Sequence, residues 1–136
     1  MSILSISAKG IVPFAIYFVA AIALFAVFLA VYVRITPYPE FELIRRGNVA
    51  AALSLSGAMI GFTLPLASAI AHSVVVEEML MWGSIALVVQ LLVYLTARRI
   101  FPELATRIPE GCAAHGLLLG SLSLAAGILN AACMVY

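Results

Sequence analysis

Charged residues are scarce in this chain of 136 residues: only 10% are Asp, Glu, Lys or Arg, against about 25% in soluble proteins. All six acidic residues are glutamates, and seven basic residues nearly balance them, which leaves a formal net charge of +1. The chain therefore lacks a basic surface for nucleic acid and an acidic tail. These shortages exclude a soluble enzyme, and we predict no nucleic-acid partner.

The sequence also lacks the residue combinations that form reactive sites. It contains no Ser/His/Asp set, phosphate-binding glycine loop or metal-ligand spacing. Cys112 and Cys133 lie 21 residues apart in one predicted helix, about 31 Å, which is too far for a disulfide. His72 and His115 fall near opposite membrane surfaces and cannot share a metal ion. We therefore predict a protein that is not an enzyme, with no catalytic residue, no cofactor and no metal.

Hydrophobic residues are abundant instead: they make up 65% of the chain, and the mean hydropathy is +1.21. They form four long runs without Lys, Arg, Asp or Glu. A helix needs about 20 residues to cross a hydrocarbon core of about 30 Å, and each run is long enough. We predict an all-α membrane protein in which residues 1–136 form a single integral membrane domain. Its four transmembrane helices are predicted at Ile11 to Val33, Ala50 to Ala71, Met79 to Ala97 and Cys112 to Tyr136.

The basic residues predict how the chain is threaded, because Lys and Arg in short loops remain in the cytoplasm. The loops after spans one and three hold six arginines, and the opposite side holds only Lys9. We therefore expect both termini to face the periplasm. Span one is too long for the apolar region of a signal peptide, so we expect it to be retained. The arginines are Arg34, Arg45, Arg46, Arg98, Arg99 and Arg107.

The two halves of the chain share one plan when they are aligned at an offset of 64 residues. In each half an apolar helix ends at an arginine, a short loop with Pro and Glu follows, and a glycine precedes a helix rich in small residues. This pattern predicts two tandem helical hairpins in the same orientation, a parallel repeat over about 11–71 and about 75–136. Chance similarity between apolar segments is the alternative. Matching residues include Arg34 with Arg98, Ile44 with Ile108, Gly47 with Gly111 and Ala50 with Ala114.

Spans two and four each carry a continuous face of small and polar residues at helical spacing. Each face contains two glycines four residues apart, a pattern that lets helices approach closely in lipid. One interpretation is helix packing, within the chain or between copies, and the other is the lining of a pathway. The face of span two is Ala50, Ser54, Gly57, Gly61, Pro65, Ser68 and His72, and that of span four is Cys112, Gly116, Gly120, Ser123, Gly127 and Asn130.

Other features of the spans predict packing or anchoring. Gln90 is expected to form a hydrogen bond between helices. Pro65 predicts a kink in span two, because it leaves the carbonyl of Gly61 without its helical donor. The bulky stripe of span one is expected to face lipid or a subunit, and aromatic residues near span ends are expected to be interfacial anchors. The stripe is Phe14, Phe18, Phe25, Phe28 and Tyr32, and the anchors are Tyr17, Tyr32, Tyr38, Trp82, Tyr94 and Tyr136.

The run from Arg46 to Phe62, with Pro65 to Ile70 after it, resembles the YjfL-like family of bacterial inner-membrane proteins. The run from Gly127 to Met134 is similar to the end of that family's sequences. The resemblance implies four spans in a bacterial cytoplasmic membrane. It also implies a domain of unknown function that is often encoded near envelope-stress genes. The family supplies no catalytic residue that could be carried over.

These observations favour a non-enzymatic membrane protein that assembles with itself or with a membrane-protein partner in the lipid bilayer. The alternative is a small oligomeric channel or facilitator that uses the small-residue faces of spans two and four. A proton-coupled carrier is disfavoured because no span contains a carboxylate.

Overall fold

The computed structural model describes residues 3–134, except for the side chain of Ile6. These residues form four long helices and two short ones. Each long helix is long and apolar enough to cross a membrane. The predicted all-α class with four membrane-spanning helices is therefore confirmed. The helices are α1 (Ile3–Ile35), α2 (Glu40–Arg45), α3 (Val49–His72), α4 (Val76–Ile100), α5 (Leu104–Arg107) and α6 (Ala113–Cys133).

The helix bounds differ from the predicted spans mainly at α1, which begins at Ile3 rather than Ile11. The residues before the apolar run continue the helix although they include serines and Lys9, because a helix can extend beyond the hydrocarbon core. The loops after spans one and three contain α2 and α5, which the sequence analysis did not predict. The predicted end of span four at Tyr136 lies outside the described residues.

Helices α1 and α4 end side by side, since the guanidinium of Arg98 donates to the carbonyl of Ile35 at 3.5 Å. The short helices α2 and α5 follow at this end. All six arginines therefore lie at one end of the bundle, which we call the Arg-rich end. The cytoplasmic placement of this end remains a prediction.

One turn occurs twice, 64 residues apart, at the entrance to α3 and to α6. Gly47 and Gly111 both have φ of +86°, a backbone conformation that glycine adopts without strain. The amides of Gly47 and Gly111 donate to Ile44 and Ile108, each at 2.9 Å. The next amides, of Asn48 and Cys112, donate to Leu43 and Arg107, which completes a Schellman pattern in both turns. Residues 49–69 of α3 therefore have counterparts 64 positions later in α6, while the common origin of the two halves remains a prediction.

Helix α3 lies at the centre of the bundle, and α1 lies at its edge. Within the most apolar window of each helix, 56% of α3 is buried by protein but only 6% of α1. Helix α4 packs against both α3 and α6, and α1 packs against α3 and α4. Most of α1, including Phe14 and Phe18, is exposed on the outer surface.

The large aromatic residues at the Arg-rich end are buried in protein, which corrects two predictions. Phe28 and Tyr32 belong to the stripe expected to face lipid, but both are completely buried, and Phe28 stacks on Phe62 at 4.6 Å. Tyr32, Tyr38 and Tyr94 are not interfacial anchors, because the ends of α1 and α4 enclose them together with the chain between α1 and α2. The predicted anchor Tyr136 lies outside the described residues.

Candidate functional site

The predicted small-residue faces of spans two and four meet along one contact, the α3–α6 seam. Helices α3 and α6 run parallel, since Ala50 faces Gly116 near their first turns and Gly61 faces Gly127 further along. The glycines in the seam are buried and have no side chain between the two backbones. A Cβ at Gly57, Gly61, Gly116, Gly120 or Gly127 would collide with a main-chain carbonyl oxygen of the other helix.

This geometry explains why glycine occupies the seam. The Cα hydrogen of each seam glycine points toward a carbonyl oxygen, a weak contact that recurs where membrane helices approach closely. Any larger residue at these positions has to separate the backbones. The seam is therefore a direct contact between two main chains and leaves no space for a solute between them.

Pro65 affects the same seam through the carbonyl of Gly61, which has no helical donor because proline lacks an N–H. Helix α3 continues through Pro65, which is buried. The freed carbonyl is directed at Gly127 of α6. The hydroxyl of Thr63 donates to the carbonyl of Met59 at 2.7 Å. Proline thus removes the usual helical donor from a carbonyl that lies at the contact with the second helix.

Gln90 links α4 to this seam. Its side-chain nitrogen donates to the carbonyl of Ser123 at 3.0 Å, so the predicted hydrogen bond between helices is confirmed. The side chain is only 1% exposed, and its amide oxygen has no hydrogen-bond partner. Gln90 therefore fixes α4 against the middle of α6, while its amide oxygen remains without a partner.

The remaining residues of the predicted faces lie along or beside the seam. Ser54 is completely buried, and its hydroxyl donates to the carbonyl of Ala51 at 3.0 Å. Ser123 is buried, and its hydroxyl has no partner. Ser68 and Asn130 are half-buried toward the far end of the two helices. These four residues, Pro65 and the five seam glycines thus share one neighbourhood, although their role there remains a prediction.

A second polar site, which the sequence analysis missed, lies at the Arg-rich end. Glu40, the first residue of α2, is only 1% exposed, and neither carboxylate oxygen has a hydrogen-bond partner. The hydroxyl of Tyr32 is also buried without a hydrogen-bond partner, and the hydroxyl of Tyr38 is buried close to Ser54. Tyr94 of α4 meets Tyr32 edge-on, with ring centroids 5.3 Å apart. We call Glu40 and the three tyrosines the Glu40 cluster.

Burial dominates the electrostatics of the Glu40 cluster. Loss of water raises the pKa of the Glu40 carboxyl from its usual 4.5 to about 8. The pKa of Tyr38 is also raised, first by burial and then by the nearby Glu40 carboxylate, while Arg98 lowers it in part. A carboxyl with this pKa is largely protonated at neutral pH.

The sequence contains two signals for this site. Two prolines flank Tyr38 and restrict the chain between α1 and α2, so that it folds back against the helices instead of extending into solvent. Glu40 also stands where the second half has Leu104, 64 residues later, and Leu104 is buried at the first position of α5. The alignment of Glu40 with a leucine is the second signal, because leucine favours burial whereas a charged residue in a loop is normally solvated.

The cysteines and histidines form no larger site among residues 3–134. No group of three or more His, Cys, Asp or Glu residues that could hold a metal ion occurs there. Cys112 and Cys133 are not bonded to each other. The thiol of Cys112 lies 3.0 Å from Nδ1 of His115, one turn into α6. This contact joins neighbouring residues at the helix start and includes no carboxylate.

Comparison with known proteins agrees with the four-helix architecture. Residues 5–134 match the family described as Domain of Unknown Function (DUF350). The chain is 40% identical over 127 residues to the UPF0719 inner membrane protein YjfL of Escherichia coli (strain K12), covering 93% of this chain and 96% of that protein. It is 27% identical over 93 residues to the UPF0719 transmembrane protein YshE of Bacillus subtilis (strain 168), covering 68% and 69%. No solved structure matches the chain.

Both relatives carry names that describe a location in the membrane and no activity. The family match covers nearly the whole chain, including the α3–α6 seam and the Glu40 cluster. This chain is a membrane protein with four spanning helices and belongs to the DUF350 family, which includes the YjfL-like inner-membrane proteins.

Proposed function

We propose that this chain is a non-enzymatic inner-membrane protein that assembles head to tail with copies of itself. One observation supports this proposal: the side of α3 that contacts α6 does not correspond, at the offset of 64 residues, to the side of α6 that contacts α3. Gly57 of α3 faces Gly120 of α6, whereas their counterparts, Ser121 and Ser56, are both exposed. A two-fold arrangement of the halves would have brought these serines together as well.

Each half therefore uses a different side of its second helix. The side of α6 that corresponds to the seam face of α3 is uncovered at Ala114, Ser121 and Ala125. The side of α3 that corresponds to the seam face of α6 is uncovered at Ser56 and Thr63. A contact between unlike faces can be repeated from one molecule to the next. A second copy supplies the matching surface for each uncovered face.

Helix α1 fits the same scheme. Within one chain, α4 packs against α1 and α3. The counterpart of α4 in the first half is α1, so in a head-to-tail assembly the α1 of the next copy takes the corresponding place. The place for it is an apolar groove of about 490 Å³ between α4 and α6, lined by residues that include Val93 and Ala125. The outer side of α1, which carries Val19, is an uncovered apolar surface. Seating α1 in this groove covers both surfaces.

The contact between copies should be weaker than the seam. Ser and Ala replace several of the seam glycines at the uncovered positions, so the backbones cannot approach as closely. We therefore expect an assembly that dissociates in detergent before the individual chain unfolds. The alternative of a small channel through the seam faces has less support, because the glycine backbones of α3 and α6 leave no space between them.

Cysteine cross-linking between two differently marked chains tests the proposal. Both chains carry Cys112→Ser and Cys133→Ser, one with Ser56→Cys and the other with Ser121→Cys. Oxidation in native membranes should cross-link the mixed pair much more than either variant alone, because unlike faces meet.

A matched control replaces Ser56→Cys with Leu95→Cys, at an exposed position of α4 outside both faces. This pair should not cross-link. Efficient cross-linking of Ser121→Cys with itself would show a two-fold contact and contradict the head-to-tail assembly. Absence of any cross-link in the mixed pair would contradict self-assembly through these faces.

A further inference from the structure

Glu40 is unusual among the glutamates because its side chain is buried. The other glutamates in the described chain are exposed or half-buried, whereas Glu40 is 1% exposed and makes no hydrogen bond through its carboxylate. An unpaired buried carboxylate is costly unless it is neutralised. A proton is the smallest group that neutralises it, and a protonated carboxyl can also donate to a neighbouring oxygen.

The surroundings of Glu40 leave it without a fixed counter-charge. Tyr32 of α1, Tyr38 and Tyr94 of α4 are the titratable groups that interact with it, and all three are neutral when protonated. Helix α3, which packs on α2, has no titratable side chain before His72 at its far end. The positive charge of Arg98 interacts with the two tyrosines Tyr38 and Tyr94. Within α2, Glu42, Arg45 and Arg46 are exposed.

We infer that Glu40 is a proton-binding site that holds the corner between α1 and α3 closed, and that loss of its proton opens this corner. The proton comes from water at the Arg-rich end and returns there, so the carboxyl cycles between CO₂H and CO₂⁻. The ionised carboxylate has to reach water. Because Glu40 is the first residue of α2, the first turn of α2 moves outward with it. This inference is independent of self-assembly.

The fold itself does not require an acid at this position. Leu104 occupies the first position of α5 in the second half and is buried to 2% exposure, so an apolar side chain suffices there. Glu40 therefore adds a response to pH that Leu104 does not have. The comparison of Glu40 with Leu104 suggests two variants. Glu40→Gln is a permanent mimic of the protonated acid, and Glu40→Leu places the apolar residue of the second half at this position.

The sign of the pH effect follows from the raised pKa. The closed corner holds the proton up to a pH of about 8, whereas the open form releases it near the usual 4.5. The stabilisation is complete below about 4.5 and is lost as pH rises to about 8. Opening of wild-type α2 should therefore increase about tenfold per pH unit between about 5 and 8, relative to Glu40→Gln, and then level off.

Hydrogen exchange of the α2 amides in liposomes measures this opening. The full-length wild type and Glu40→Gln are compared at each pH from 5 to 9, so the intrinsic pH dependence of exchange cancels in the ratio. The expected ratio rises with pH and levels off above about 8. Glu42→Gln is the matched control in the same helix, because Glu42 is exposed and bonded to Arg46 at 2.5 Å, and it should follow the wild type.

Infrared spectroscopy provides a second readout that does not depend on stability. The carbonyl stretch of a protonated carboxylic acid should be present in the wild type at pH 6, lost at pH 10 and absent from both Glu40→Gln and Glu40→Leu. A flat exchange ratio, or an ionised Glu40 at pH 6, would overturn the proposal. Protection of wild-type α2 by Na⁺ or K⁺ at constant pH would also overturn it, because a metal ion would then replace the proton.

Discussion

The side-chain nitrogen of Asn48 donates to the carbonyl of Ile108 at 3.0 Å and thereby joins residues 60 positions apart in the chain. The same side chain caps α3 through its oxygen, which accepts from the amide of Ala51 at 3.0 Å. It also donates to Pro109 at 3.3 Å. One amide thus starts a central helix and fixes the turn that leads into α6.

Asn48→Ala should lower the free energy of unfolding by about 2 kcal/mol, because it removes a helix cap and a hydrogen bond between distant segments. Thermal unfolding in a mild detergent measures the loss. Cys112→Ala is the control, since Cys112 occupies the corresponding position before α6 but makes no side-chain cap, and it should change stability by less than about 0.5 kcal/mol. Equal losses in both variants would contradict the bridging role of Asn48.

Gly57→Leu and Gly120→Leu should strongly weaken the α3–α6 packing, because a side chain at either position collides with the backbone of the other helix. We expect a loss of several kcal/mol or failure to accumulate in the membrane, measured by expression and detergent stability. Gly10→Leu should have little effect, since nothing lies within 4 Å of a Cβ built there. Unchanged stability of both seam variants would contradict the claim that the α3–α6 seam stabilises the fold.

Cysteines at Ser54 and Ser123 should not react with a small hydrophilic thiol reagent once Cys112 and Cys133 are replaced. Both serines are buried in the seam, and only a thiolate exposed to water reacts. A cysteine at Val88, which faces outward from α4, is the unreactive control if lipid covers it. Labelling at Ser54, Ser68 and Ser123 together with ion conductance in liposomes would contradict the packing role and support a pathway.

A reporter fused after Tyr136 should be active in the periplasm and inactive in the cytoplasm. The reason is that six of the seven basic residues lie at the Arg-rich end, and such clusters remain in the cytoplasm. A reporter inserted next to Arg45 should show the opposite activity. Cytoplasmic activity of the fusion after Tyr136 would reverse the predicted threading.

The sequence was informative where lipid is the only solvent to consider. Long uncharged runs had to be helices, and glycines four residues apart on α3 and α6 marked the faces that come together. It was uninformative at the Arg-rich end, where the ends of α1 and α4 and the segment between α1 and α2 bury one another's side chains. Hydropathy alone cannot distinguish a tyrosine at the lipid surface from one such as Tyr94, which is covered by α1. Glu40 was missed for the same reason, since a charged residue in a loop is normally solvated.

The seam also imposes an order on the synthesis of the protein. Helix α3 is complete at His72, but its partner α6 is complete only at Cys133, about 60 residues later. At about 5–20 residues per second, α3 waits roughly 3–12 s for α6 while the ribosome completes the chain. During this time its glycine face has no partner within the chain, and the Gly61 carbonyl, which lacks its helical donor because of Pro65, is uncovered. The insertion machinery, lipid or another nascent chain has to cover this face first, so α6 completes the fold by displacing whatever covered it.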